Sequence, residues 1–301
     1  MIVQNTGVVT PELRVLGAVQ LPAFLVDAEF PAVIDAGMSC MADRYVREIR
    51  HALNGRHPAR LFLTHTHYDH IGAAAGLKKA FPEMEICCSA AGCEVLKRPR
   101  AIKTIRELNR EGAGYMEKMG EPVSEAAEFE TFAVDRPISD GDTFVLSSGM
   151  HLQAIATPGH TRDAMSFYVP EKKMLFTGEA AGVMSDKGYI FSEWLADYRD
   201  YYASLQKLAA LEIDVLCLGH GCVLTGRDAK DHMDRAKRYC LWFRELIESA
   251  LTETGGDVEQ ARQRIKEKEY DPIPDPKQPE MAYLLNLDAK IRAVQRLDQQ
   301  N

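Results

Sequence analysis

The chain has no excess of basic side chains. Its 301 residues carry 36 Lys and Arg against 44 Asp and Glu, a formal charge of −8. Without a broad positive field, neither nucleic acid nor an anionic membrane is expected as a main partner. No apolar run approaches the ~18 uninterrupted residues of a membrane span. The opening MIVQNTGVVTPELRVLG lacks a basic stretch followed by an apolar one, so no export signal is expected. The seven cysteines, an odd number, then read as reduced thiols in a cytoplasm. Cys87, Cys88 and Cys93 sit in a strand-like run and the helix after it, where packing is preferred to metal ligation. No internal repeat is present. Hydrophobic content of 46% and charged content of 27% are those of a globular chain long enough for a large domain with an extension.

The apolar pattern predicts short strands near 13–20, 22–27 and 31–35, ending in IDAG at 34–37. A helix is predicted over 41–53, with Met41, Tyr45, Val46, Ile49 and Leu53 on one face. ARLFLT (59–64) and MEICCS (84–89) read as buried strands, and HTHYDH as a loop opening onto a helix. Helices are expected at about 89–98 and, rather polar and read as an insertion, at 100–120. Short strands occupy about 129–177, followed by a helix at 197–211 and the strand DVLCLG at 214–219. Beyond about 228 the chain turns helical, with Met233, Ala236, Cys240, Phe243, Ile247 and Leu251 on one stripe. Gly255 and Gly256 end that helix and Asp257 caps the next. After the Pro-rich YDPIPDPKQPE, a last helix over 279–297 turns Leu284, Leu287, Ile291 and Val294 inward.

Chemistry concentrates in Thr64-His65-Thr66-His67-Tyr68-Asp69-His70, four potential ligands within six residues. A short loop leaving a strand can turn His65 and His67 to one metal and Asp69 and His70 to another. Zinc and similar borderline ions take neutral imidazole with some carboxylate. A lone histidine is most often a satisfied structural residue; three with an aspartate in this order are hard to explain that way. TPGHT (157–161), FTGEA (176–180) and LGHG (218–221) place His160, Glu179 and His220 after three further strands. His51, His57, His151 and His232 fall outside the pattern and are assigned no role.

In this order the four motifs resemble the metallo-β-lactamase superfamily over roughly residues 13–228. The resemblance implies an α/β fold, an αββα sandwich with the site at one edge of its sheets. It implies His65, His67 and His160 on a first divalent ion and Asp69, His70 and His220 on a second, with zinc first and iron or manganese as alternatives. Glu179 stands where the family usually has a bridging aspartate. One methylene longer, it can bridge at a shifted spacing, bind one ion only, or weaken one site. Asp35 resembles the acid that ends an early strand and supports the metal loop, as ligating histidines generally require. Residues 1–228 are then the catalytic domain, with the helical insertion near 100–120, and 229–301 a helical extension covering the site.

Two bound ions lower the pKa of water toward ~7, so no serine or cysteine nucleophile is needed. Asp69, able to orient that water, is the protein group nearest a catalytic role. Tyr189 is weighed as a donor to a substrate carbonyl, with packing preferred. Secreted β-lactamases commonly carry cysteine at the Glu179 position, and flavodiiron reductases carry glutamate at that of His67; neither fits here. Hydrolysis of a small acyl thioester, acyl-CoA-like, is the leading expectation, since a thiolate of pKa about 8.5 leaves easily. LGAVQLPAFLV, THTHYDHIG, AIKTIRELNR and the helical tail resemble the 2-aminobenzoylacetyl-CoA thioesterases within the superfamily. A lactonase, arylesterase or glyoxalase-II-like hydrolase would use the same donors, and a metal-containing regulatory protein with little turnover is the reading from another class. Tyr115, Met116, Met119, Trp242, Phe243, Tyr283 and Leu284 are candidates to line a covered pocket, interhelical packing being the preferred role for each. Lys97, Arg98, Arg100 and Lys103 are a basic group that could meet CoA phosphates or simply be a solvated helix end. The expected partner is a small acyl substrate, and the oligomeric state is open between monomer and homodimer.

Overall fold

The computed structural model describes residues 1–118, 120–124, 128–185, 187–274 and 277–298. The first half runs β1 (Ile2–Val3), β2 (Gly7–Val8), β3 (Leu13–Ala18), β4 (Leu21–Val26), β5 (Ala32–Ile34), α1 (Ala42–Leu53), β6 (Arg60–Phe62), α2 (Tyr68–Ile71), α3 (Ala74–Ala80), β7 (Glu85–Ser89), α4 (Ala90–Leu96) and α5 (Pro99–Lys118). The second runs β8 (Arg136–Ile138), β9 (Thr143–Ser147), β10 (Met150–Ala156), β11 (Met165–Val169), β12 (Met174–Phe176), β13 (Val183–Met184), β14 (Ile190–Phe191), α6 (Tyr198–Ala209), β15 (Val215–Cys217), β16 (Val223–Thr225), α7 (Arg227–Glu253), α8 (Val258–Glu269) and α9 (Glu280–Asp298).

Local signals explain several boundaries. Tyr45, Ile49 and Leu53 recur at four-residue spacing and form the buried face of α1. Asn54, at φ +46°, ends that helix with its N–H on Arg50 O. Asp257 caps α8 as expected, accepting from Gln260 N. The strands β1, β2 and β16 and the β13–β14 hairpin carry too few alternating residues to be read from the sequence.

Two seven-stranded sheets result, in the orders β2-β3-β4-β5-β6-β7-β8 and β1-β16-β15-β12-β11-β10-β9. The first is antiparallel from β2 to β5 and parallel from β5 to β8. In the second, only β12 and β15 pair in parallel. Between the sheets, Phe62 meets Phe144 at 4.8 Å and Phe24 meets Phe176 at 5.5 Å. The other face of the first sheet is covered by Tyr45, Ile49, Leu77, Ile105 and their neighbours on α1, α3 and α5. That of the second is covered by α6 to α9. The layers are therefore helix, sheet, sheet and helix, the αββα arrangement expected.

The C-terminal helices dock through Phe243, Ile247, Leu287, Ile291 and Val294, which are fully buried in the same cluster as Leu175 and Leu216 of the second sheet. Each such side chain contributes about 1.5–3 kcal/mol on burial, more than a typical single polar contact. No described helix is long and apolar enough to cross a membrane.

Candidate metal centre

The ligands converge because of strand direction. β11 is antiparallel to both β10 and β12, and β12 is parallel to β15, so β10, β12 and β15 point the same way. Their carboxyl ends share one edge, and His160, Glu179 and His220 follow those ends within a few residues. β6 brings its own carboxyl end to that edge from the other sheet, where Met165 N donates to Thr64 O at 2.7 Å. The expected loop HTHYDH is partly helical: α2 begins at Tyr68, so Asp69 and His70 sit in one helical turn. His67, extended at φ −68° and ψ 150°, opens that turn.

All seven expected ligands are brought together. His65, His67, His160 and Glu179 form one group and Asp69, His70 and His220 a second; within each, one donor atom per residue lies within 4.8 Å of the others. Glu179 links the groups. Its Oε2 contacts His160 Nε2 and lies 3.5 Å from His65 Nε2, while its Oε1 lies 3.2 Å from His220 Nε2. Asp69 Oδ2 is 3.6 Å from the same His220 nitrogen. The extra methylene of glutamate thus presents a separate oxygen to each group.

Ring orientation fits metal ligation. His160 Nδ1 donates to Glu193 O at 2.7 Å and His220 Nδ1 to Gln20 O at 2.7 Å, leaving both Nε2 atoms inward. His70 Nδ1 meets Asp35 Oδ2 at 2.8 Å, and His65 Nδ1 meets Thr64 Oγ1 at 3.0 Å. His67 is reversed, with Nδ1 facing His160 Nε2 at 3.0 Å. His65 Nε2 is buried without a hydrogen-bond partner. A buried, unpaired imidazole nitrogen among inward-facing nitrogens and carboxylates is the donor set that borderline divalent ions take.

Without a metal the imidazoles divide into two protonation classes, His65 and His67 lowered and His70, His160 and His220 raised. Burial, then the imidazoles around it, holds His65 well below its ordinary range. Burial, then His160, takes His67 down to about 4. Burial opposes charge on His220, yet Glu179 and Asp69 carry it up to about 10. Against the same burial, Glu179 raises His160 and Asp35 raises His70. Glu179, although buried, is held well below the carboxylate range by His160 and His220. Binding a divalent ion beside Glu179 must therefore release protons.

Asp35 supports the loop as expected. Its carboxylate accepts from Thr64 N at 2.8 Å, Thr64 Oγ1 at 2.9 Å and His70 Nδ1. Asp163 does the same for Thr66, at 2.9 Å from its N–H and 2.8 Å from its hydroxyl. Sequence reasoning missed Asp163, although it stands three residues after His160, and missed Glu193 altogether. The turns carrying Glu179 and His220 approach so closely that a Cβ on Gly219 would lie 2.9 Å from Gly178 backbone atoms. Only glycine at position 219 permits that approach.

Several weighed residues lie elsewhere. Met116, Phe243 and Tyr283 are fully buried, so they are interhelical core and not pocket lining. Tyr115 and Trp242 are partly exposed, Leu284 is half-buried, and Met119 lies outside the described residues. Tyr189 is exposed beside β14, where its N–H meets Ser185 Oγ. Cys87 and Cys88 are core and Cys93 is half-buried, and none joins the ligand groups. Lys97 pairs with Glu94 and Lys103 with Glu107 at the exposed junction of α4 and α5.

The fold is that of one protein class, and the metallo-β-lactamase superfamily model matches residues 16–220. The chain belongs to that superfamily. It is 27% identical over 180 residues to an atrochrysone carboxyl ACP thioesterase of Aspergillus fumigatus, covering 59% of this chain and 44% of that one. It is 29% identical over 203 residues to the hydroxyacylglutathione hydrolase GloC of Haemophilus influenzae, covering 66% and 84%. The chain thus spans less than half of the thioesterase relative. An archaeal metallo-β-lactamase superfamily protein from Sulfolobus tokodaii superposes with a TM-score of 0.58 at 19% identity, covering 98% of both chains.

Proposed function

We propose that this chain is a metal-dependent hydrolase that holds two divalent ions, zinc first, and cleaves small acyl thioesters. The observation that carries the reading is the convergence of seven donor side chains on one edge, with Glu179 facing both groups. When bound, two such ions polarise a carbonyl and supply water of lowered pKa. The chain's own residues do the rest. Asp35, Thr64, Gln20 O and Glu193 O fix the imidazoles in ligating tautomers. Asp69, whose Oδ2 lies 3.6 Å from His220 Nε2, would accept a proton from the attacking water. Tyr68 keeps its phenol proton, because burial, then Asp69 and Glu179, push it up.

The thioester assignment rests on two supports. One relative is named a thioesterase and another a hydroxyacylglutathione hydrolase. A thiolate with pKa about 8.5 also leaves without strong general-acid help, which suits a site dominated by carboxylates and imidazoles. The seven free cysteines suit a reducing cytoplasm. The test is a panel of acyl-CoA, acylpantetheine and acylglutathione thioesters beside lactones and aryl esters, run on metal-loaded protein. Preferential thioester hydrolysis is expected. Lactone preference would overturn the substrate assignment, and no hydrolysis of any acyl substrate would overturn the enzyme reading.

A further inference from the structure

Helix α9 supplies none of the seven donors but is bonded to the segment that holds the His160 turn. Three of its side chains hold one short segment, residues 193–197, between β14 and α6. Lys290 Nζ donates to Glu193 Oε1 at 3.0 Å, Asn286 Nδ2 to Glu193 Oε2 at 3.1 Å, and Arg296 to Ala196 O at 2.7 Å. That segment holds the His160 turn in its own right. His160 Nδ1 donates to Glu193 O at 2.7 Å. Ala196 N donates to Gly159 O at 3.0 Å and to His160 O at 3.1 Å, and Asp197 N to Gly159 O at 3.1 Å. A Cβ on Gly159 would meet Tyr201 backbone at 2.2 Å, so the turn is pressed against the start of α6 and has little room to shift.

The Lys290–Glu193 pair is withdrawn from water, with side-chain exposures of 3% and 6%. Such a pair is a weak source of stability, because desolvation offsets the attraction and apolar residues would fill the space as well. What it supplies and an apolar pair would not is direction: it ties α9 to the residue whose carbonyl orients His160. A second buried polar cluster on these helices makes the contrast. Tyr239 and Tyr283 both donate to Glu269, and that cluster joins helix to helix.

We propose that Lys290 and Glu193, with Asn286 and Arg296 beside them, position His160 for its metal, so that α9 belongs to the support of the first metal group. The inference rests on the reading of His160 as a ligand.

The test is zinc titration of metal-stripped protein against a fluorescent chelator, with thermal stability recorded alongside. Loss of outer support for a ligating histidine weakens metal binding by about 10–100-fold. Lys290→Met and Glu193→Gln are expected to weaken one of the two zinc ions by that factor and leave the other unchanged. Arg296→Ala, at a more exposed bond, moves the same ion the same way by less, and keeps the test in force if Lys290→Met does not fold. Tyr283→Phe removes a buried bond from the same helix and lowers stability with neither affinity changed. In metal-stripped wild type the Nδ1 proton of His160, bonded to Glu193 O, is expected to give a protected imidazole signal that is lost in Lys290→Met and kept in Tyr283→Phe. The proposal is overturned if the α9 and Glu193 variants lose stability alone, or if Tyr283→Phe weakens the same ion as much as Lys290→Met. Wild type that takes up no zinc would overturn the proposed function itself, and this inference with it.

Discussion

The first sheet delivers four candidate ligands from six consecutive residues, whereas the second delivers three from three separate strand ends. Their supports differ in the same way. His65 and His70 lean on Thr64 and on Asp35, side chains at the ends of neighbouring strands β5 and β6. His160 and His220 lean on main-chain carbonyls of Glu193 and Gln20. A carboxylate support is fixed by its own side chain. A carbonyl support is only as good as the segment that carries it, and for His160 that segment is tied to α9. His65 and His70 of the first half thus rest on side chains, and His160 and His220 of the second on main-chain segments brought in by the rest of the fold.

The largest effects come from removing ligands on either side. His65→Ala and His220→Ala should each lower kcat/KM by about three decades, since an ion contributes several kcal/mol to the transition state and each decade is 1.36 kcal/mol. Steady-state kinetics beside metal content checks this. Equal metal content in both variants and wild type would break the two-group description.

Next is Asp35→Ala, which leaves Thr64 N, Thr64 Oγ1 and His70 Nδ1 without their acceptor. Metal affinity should fall by about 10–100-fold, mainly for the ion held by His70. A two-step zinc isotherm reads which ion weakens. The comparison is sharpened if Asp35→Ala and Lys290→Met weaken different ions.

Glu179→Asp tests the link between the halves. A carboxylate one methylene shorter draws its oxygens back from His65 and His220 in the present backbone. A misplacement of about 1 Å can cost about 100-fold, so kcat should fall by about one to two decades with little change in KM. Unchanged kcat would show that the second oxygen is dispensable.

A separate effect concerns pH. His220 is raised from 6.5 to about 10 in the folded metal-stripped protein. A raised imidazole adds stability that is fully present below its unfolded pKa and is lost as pH climbs through the folded one. Chemical denaturation of stripped protein should therefore show stability declining between about pH 6.5 and pH 10, a window taken from this one group. Metal-loaded protein should lack this component, since ligation requires the imidazole neutral. The smallest effect is expected at Tyr189, exposed beside β14: Tyr189→Phe should change stability by no more than about 0.5 kcal/mol.

This contrast also explains what the sequence could disclose. That the seven donor side chains gather at one edge was legible because imidazoles and carboxylates follow apolar strand runs, while their assignment to two ions came from the family resemblance. The helices α1, α7 and α9 were legible from one-sided stripes such as Met233, Ala236, Cys240 and Phe243. Asp35 was legible beside its strand. Glu193 and Lys290 were not, because a charge in an amphipathic segment reads as a solvated face, and only the folded chain shows the pair at 3 Å in the interior. Met116, Phe243 and Tyr283 were weighed as pocket lining for the converse reason: apolar periodicity marks a buried face and does not say whether a cavity or another helix covers it. The strands β1 and β16 pair with each other across the length of the chain, Ile2 with Leu224, and two-residue β2 is defined only by its pairing with β3.

The central claim, a dinuclear hydrolytic centre spanning the two halves, is tested most directly by titrating metal-stripped protein with zinc while following thioester hydrolysis. Activity is predicted to rise and saturate at two ions per chain. Activity that is absent at every ratio, or complete with one ion bound, would contradict it.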